Sequence, residues 1–129
     1  MIKVLEIAFT GYPVKDMARA RAFYEGALGL KPANVWGETW TEYEVGAATL
    51  ALGCMEGWKP SSEGPSVALE VEDFDAAIAV LKKAGAKFTL EPIDSPVCRL
   101  AVVCDPDGNG LTIHKRKAHA HAAGEACGH

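Results

Sequence analysis

The chain has 129 residues, of which 49% are hydrophobic, enough for one compact domain with a core that needs no disulfide staples. Its net charge is −4, and the basic residues are dispersed apart from Lys115-Arg116-Lys117, which argues against a nucleic-acid-binding protein. No apolar run reaches the ~18–20 residues that span a bilayer as a helix, and Met1-Ile2-Lys3-Val4-Leu5 is strand-like, without the apolar region and cleavage site of a signal peptide.

The first strand is expected from Val4 to about Tyr12, ended by Pro13, which cannot donate to a ladder. Asp16 is a helix N-cap, and Met17, Ala20, Phe23, Tyr24, Ala27 and Leu28 recur at helical spacing as a buried stripe. Gly29 is placed to end that helix. Three strands follow, near Ala33–Trp36, Thr39–Val45 and Thr49–Leu52, with turns at Gly37-Glu38 and Gly46-Ala47-Ala48. Residues 54–64 are rich in glycine, proline, serine and lysine and read as a linker.

The second half begins with a strand at Ser66–Val71. Asp73 caps a helix with the stripe Phe74, Ala77, Ile78, Leu81 and Ala84. Strands are expected at Lys87–Leu90, Val97–Cys104 and Leu111–Lys115, with Glu91–Pro96 a loop. Asp105-Pro106-Asp107-Gly108-Asn109-Gly110 is turn-forming, and Gly108 is expected at positive φ. Residues 118–129 are expected as a flexible tail, whose His119, His121, Cys127 and His129 resemble an adventitious metal chelator. Cys54, Cys98, Cys104 and Cys127 show no CxxC spacing, so free thiols and a cytoplasmic setting are expected.

The two halves repeat each other. Val14 falls on Val71, Asp16 on Asp73, Met17 on Phe74, Ala20 on Ala77, Phe23 on Val80 and Tyr24 on Leu81. Each helix follows one strand and precedes three. The fold class read from this is α+β, with two tandem βαβββ modules over 1–53 and 65–117 of a single domain.

Val14-Lys15-Asp16-Met17-Ala18-Arg19-Ala20, then Phe23-Tyr24-Glu25 and Leu28-Gly29-Leu30, with Asp105-Pro106-Asp107-Gly108-Asn109 before a last strand, resemble the vicinal oxygen chelate superfamily. This is the group of glyoxalases, bleomycin-resistance proteins and extradiol dioxygenases. The resemblance implies a mixed sheet curled into an open cup with helices outside, a ligand on the concave face, and frequent pairing as homodimers. It also implies a divalent metal held by His, Gln or Glu from the first and fourth strand of each module. Those positions fall on Phe9, Ala51, Ser66 and Thr112. None of the four offers the imidazole or carboxylate that Zn²⁺, Fe²⁺ or Mn²⁺ prefers, so no metal cofactor is expected. A one-residue slip turns each strand face over and still finds no ligand.

Strand alternation places Trp40, Glu42, Glu44, Thr112 and His114 on the concave face, and the resemblance implies that Cys98, Leu100, Val102 and Cys104 join them there with Phe9 and Gly11. His114 is a candidate general base, Cys98 a candidate thiol partner, and Glu42 with Glu44 a candidate acid–base pair. Strand packing and solvation are the plainer readings of the same residues. Trp36, Trp40 and Trp58 are flat surfaces for a planar ligand or for packing.

The leading functional expectation is a protein that binds a small, partly aromatic molecule without the usual metal. Its ligand-binding residues are Phe9, Trp40, Ala51, Ser66, Thr112 and His114. The alternative is a glyoxalase-like lyase or isomerase, or a dioxygenase, working through Glu42, Glu44, His114 and Cys98. A third expectation is a fold that serves chiefly to dimerise.

Overall fold

The computed structural model describes residues 1, 3 and 5–117; the His/Cys tail lies outside the described residues. The chain divides into two compact units, Met1–Pro60 and the part from Ser61 onward. Each holds a four-stranded mixed sheet, so the α+β class and the repeated βαβββ order both hold.

In the first unit the order is β1 (Thr10–Pro13), α1 (Met17–Arg21), β2 (Pro32–Trp36), β3 (Trp40–Val45) and β4 (Ala48–Gly53). The sheet runs β1-β4-β3-β2, with β1 parallel to β4 and the other pairs antiparallel. Strand β1 is much shorter than the sequence suggests. Its ladder to β4 begins at Thr10, which pairs with Leu50, and among the described residues none before Thr10 belongs to a strand.

Asp16 caps α1 through Oδ1, which accepts from the Arg19 N–H at 3.1 Å. After Arg21 the helix continues over Ala22–Ala27 as a π-helix, in which the Leu28 N–H reaches back to the Phe23 carbonyl at 3.1 Å. The periodicity of the apolar stripe alone gives no warning of this segment. It changes the stripe: Met17, Ala20 and Tyr24 are buried, whereas Phe23 is only half-buried. The cause lies in spacing. The positive-φ Gly29 lies thirteen positions after Asp16, but the positive-φ Gly85 lies twelve after Asp73. The extra residue is taken up as the wider π-turn.

The core of this unit is Tyr24 stacked on Tyr43 (centroids 6.1 Å apart) with Leu50 and Leu52. The Tyr43 hydroxyl donates to Glu25 Oε2 at 2.9 Å, and Arg21 Nε donates to the same oxygen at 2.6 Å. Burial, then the bond to Glu25, pushes the Tyr43 phenol upward. The Arg21 hydrogen bond holds the Glu25 carboxyl below its ordinary value. Because the folded value is the lower one, this group's stabilisation is present above the unfolded carboxyl pKa. It is lost as pH falls through the folded value. Thermal melts from neutral to acidic pH should therefore show a shallower acid decline in Glu25→Gln than in the parent. Parallel curves would remove Glu25 from the acid response.

In the second unit the order is β5 (Val67–Glu70), α2 (Phe74–Lys83), β6 (Lys87–Asp94), β7 (Cys98–Cys104) and β8 (Gly110–Arg116), with sheet order β5-β8-β7-β6. Asp73 caps α2 by accepting from the Ala76 N–H at 3.1 Å. Phe74 and Leu81 of α2 are buried, as are Ala101, Val103, Leu111 and Ile113 of β7 and β8.

Strand β6 runs on through the segment expected as a loop. Two register shifts flank Leu90, and Pro92 sits in the second, where a missing N–H costs the ladder least. Ser95 then turns the chain, its Oγ accepting from the Val97 and Cys98 N–H groups at 3.3 and 3.1 Å.

The Asp105–Asn109 turn is closed internally. Asp105 Oδ1 accepts from the Asp107 and Asn109 backbone N–H groups, both at 2.9 Å, and Asp105 Oδ2 accepts from Asn109 Nδ2 at 2.9 Å. Asn109 Oδ1 accepts from the Ser61 N–H at 3.2 Å, and Gly108 has φ +95°, as its place in the turn predicts. No helix among the described residues is long and apolar enough to cross a membrane.

Candidate functional site

Each sheet has one face toward its helix and one away from it. In the first unit Tyr43 bonds to Glu25 and Thr41 Oγ1 donates to Met17 Sδ at 3.4 Å, so Thr41 and Tyr43 point to the helix side. Alternation puts Trp40, Glu42 and Glu44 on the other face. The register adds Asn34 and Trp36 opposite Glu42 and Trp40, Ala51 and Gly53 from β4, and Gly11 opposite Ala51.

This face is aromatic. Phe9 meets Trp40 edge-on with centroids 5.4 Å apart, and Trp40 lies near-parallel to Trp58 at 6.4 Å. Trp58 comes from the segment read as linker and folds back over the sheet. The floor beneath is made of residues with little or no side chain. A Cβ on Gly53 would lie 2.5 Å from Trp58 Cζ3 and 2.9 Å from Trp40 Cζ3, and one on Gly11 would lie 3.1 Å from Trp58 Cη2. Ala51 is fully buried, while Phe9, Trp36 and Trp58 stay exposed and Trp40 half-exposed. Gly53→Ala should accordingly displace both indoles. A shifted tryptophan emission maximum with a lowered melting point is the expected result, and an unchanged spectrum would refute the packing. The Trp40 Nε1–H donates to Glu42 Oε2 at 2.9 Å, whereas Glu44 is exposed. Beside this cluster a cavity of about 310 Å³ is lined by Val14, Lys15 and the 54–60 segment.

In the second unit the face away from α2 carries two polar pairs. Ser66 Oγ and Thr112 Oγ1 lie 2.8 Å apart, so these two positions hydrogen-bond to each other. His114 Nδ1 lies 2.6 Å from Glu70 Oε1, and Glu70 Oε2 accepts from the Arg116 N–H at 2.8 Å. Burial raises the Glu70 pKa, but the Arg116 and His114 hydrogen bonds outweigh it and leave the carboxyl below its ordinary value. Glu70 was not anticipated. Its signal was available, since it alternates with Ser66 and Ala68 on a strand parallel to β8. His114 is buried rather than at an open strand end. The register places Leu100 opposite His114 and Cys98 opposite Arg116; Cys98 is buried and its Sγ lies 3.8 Å from Ser95 Oγ.

The sequence-derived set thus divides between the units. Phe9, Trp40, Glu42, Glu44 and Ala51 belong to the first, and Ser66, Cys98, Thr112 and His114 to the second. Among the described residues no group of three or more His, Cys, Asp or Glu side chains is arranged to hold a metal ion.

Two mixed sheets, each of βαβββ order with a helix on one face, define an α+β protein of the paired-module type. The family model described as Glyoxalase/Bleomycin resistance protein/Dioxygenase superfamily matches residues 6–113, and the chain belongs to that superfamily. It is 32% identical over 115 residues to the anthracycline biosynthesis protein DauV of Streptomyces sp. (strain C5), covering 84% of this chain and 41% of that protein. It is 33% identical over 114 residues to the anthracycline biosynthesis protein DnrV of Streptomyces peucetius, covering 83% and 40%. The chain therefore spans about two fifths of the length of the curated relatives it matches. A superfamily member of solved structure from Sphaerobacter thermophilus DSM 20745 superposes with a TM-score of 0.70 at 25% identity, covering 88% of this chain and 98% of that one.

Proposed function

We propose that this protein binds a small, flat, partly aromatic molecule on the aromatic face of its first module, without the divalent metal usual in the family. The observation that carries this reading is the cluster of Phe9, Trp40 and Trp58 over a floor of Gly11, Ala51 and Gly53. Exposed rings above a floor free of side chains offer stacking area to a planar ligand. The similarity to two anthracycline biosynthesis proteins supports it, because anthracyclines are flat fused-ring aromatics.

A divalent ion does not fit the residues present. Phe9 and Ala51 have no donor atom, and the Ser66 and Thr112 hydroxyls are engaged with each other. We take the working protein to be a cytoplasmic homodimer, testable by sedimentation.

Titration with a soluble anthraquinone should quench tryptophan emission to saturation, and Trp40→Ala or Trp58→Ala should weaken binding about 5–10-fold. Metal content by plasma mass spectrometry should fall well below one ion per chain. Absence of quenching, or a stoichiometric metal, would sink this reading.

A second reading is favoured by the His114–Glu70 pair. A carboxylate on Nδ1 orients an imidazole as a base, which suits a glyoxalase-like lyase or isomerase, or a dioxygenase. Turnover abolished by His114→Ala with ligand binding intact would support it over simple binding.

A further inference from the structure

We propose that residues 54–60 form a strap that closes the first module's aromatic face in the ligand-free chain, lifting to admit the planar ligand and settling back on it through Trp58. This inference rests on the binding reading just given and adds the movement by which the ligand reaches its floor.

Trp58 occupies the floor that such a ligand would use. Its six-membered ring rests on the backbone of the neighbouring strands β1 and β4: a Cβ on Gly53 would come within 2.5 Å of Cζ3, and one on Gly11 within 3.1 Å of Cη2. The two glycines thus make room for an indole of the chain itself. A flat molecule gains the same floor only when that indole rises. Once beneath it, the molecule meets the floor on one side and the Trp58 ring on the other. The residue that bars entry therefore also delays departure.

Little besides that ring holds the strap down. Met55, Glu56, Gly57, Trp58 and Lys59 are all exposed. Among the described residues, the one hydrogen bond made by 55–60 is internal, from the Trp58 N–H to the Met55 carbonyl at 3.3 Å. The strap is anchored at Cys54, whose N–H donates to the Thr39 carbonyl at 2.9 Å and whose Sγ donates to the Lys15 carbonyl at 3.5 Å. Gly57, at φ +89°, supplies the bend that brings Trp58 down. The cavity of about 310 Å³ lies against the strap, and the exposed Lys15, Glu56 and Lys59 line it, so it can widen without stranding apolar surface in water. A segment with one packed side chain and few bonds to its surroundings opens at the low end of a protein's range of local stability.

The test follows association of a soluble anthraquinone with the full chain by stopped-flow tryptophan quenching. In the parent the observed rate should level off as ligand rises, because opening limits it. In Trp58→Ala the levelling should vanish, with association about 10-fold faster and release about 50–100-fold faster, a net weakening of about 5–10-fold. Gly57→Ala adds a Cβ with nothing within 4 Å of it, so it strains only the bend. Association should rise about 5-fold there, with Trp58 still present. A fixed stacking surface gives a different split, with faster release and unchanged association in Trp58→Ala and no change in Gly57→Ala. That result overturns the strap and leaves the aromatic site standing. Absence of binding in every variant overturns the ligand reading, and the strap is then decided without ligand. In chain labelled with 5-fluorotryptophan, the fluorine signal missing from Trp58→Phe belongs to Trp58. Gly57→Ala should move it toward the position of free fluorotryptophan; an unmoved signal overturns the strap.

Discussion

Tyr24→Ala is expected to destabilise the protein by about 3–5 kcal/mol and to lower its melting point by roughly 10–20 °C. The ring is fully buried and stacks on Tyr43, itself fully buried, so its removal takes away apolar contact and leaves a cavity between the π-helical segment and the sheet. Phe23→Ala provides the internal comparison. Phe23 is half-buried, so its loss should cost distinctly less. Urea or thermal melts of the two variants decide the phase of the helix. Phe23→Ala as damaging as Tyr24→Ala would mean that the π-helical segment is wrongly phased.

Asp105→Ala should cost about 2–4 kcal/mol without touching either sheet face. One carboxylate satisfies two backbone N–H groups and the Asn109 amide, and both Asp105 and Asn109 are buried. Alanine would take this acceptor from the buried Asn109 N–H and amide, where water is no cheap substitute, while the half-exposed Asp107 N–H loses less. Asp105→Asn should be intermediate. Its Oδ1 can still accept the two backbone bonds, but its amide would face the amide of Asn109. A denaturation midpoint for Asp105→Ala within error of the parent would show that the turn is closed by something else.

This second case bears on what the chain discloses by itself. The Asp105–Asn109 run was legible as a turn because each residue type has a local reason to be there. The same held for the Asp16 and Asp73 caps, and for Gly29, Gly85 and Gly108 at positive φ. The face assignments of Trp40, Glu42, Thr112 and His114 followed from alternation, since the helix-side stripes are strongly apolar. What stayed hidden depends on partners distant in sequence. The length of β1 depends on its pairing with β4, and the reach of β6 on a hairpin that tolerates Pro92 through a register shift. Glu70 becomes meaningful only when β5 lies beside β8, which puts its carboxylate on His114. The role of Gly11 and Gly53 is likewise invisible until the indoles arrive above them. A glycine in a strand is a warning of close approach, but it does not say by what.

The unequal spacing of the two helices has a consequence for engineering. Gly26 lies within the π-helical segment, is exposed, and has nothing within 4 Å of the place a Cβ would occupy. Excising it would give the first helix the residue count of the second, letting the wide turn tighten to ordinary α pitch between a fixed entry at Asp16 and a fixed exit at Gly29. No comparable slack exists between Asp73 and Gly85, where losing one residue would rotate everything downstream by about 100°. The first module is thus the half of the duplicated chain that can shorten by one residue and keep its frame.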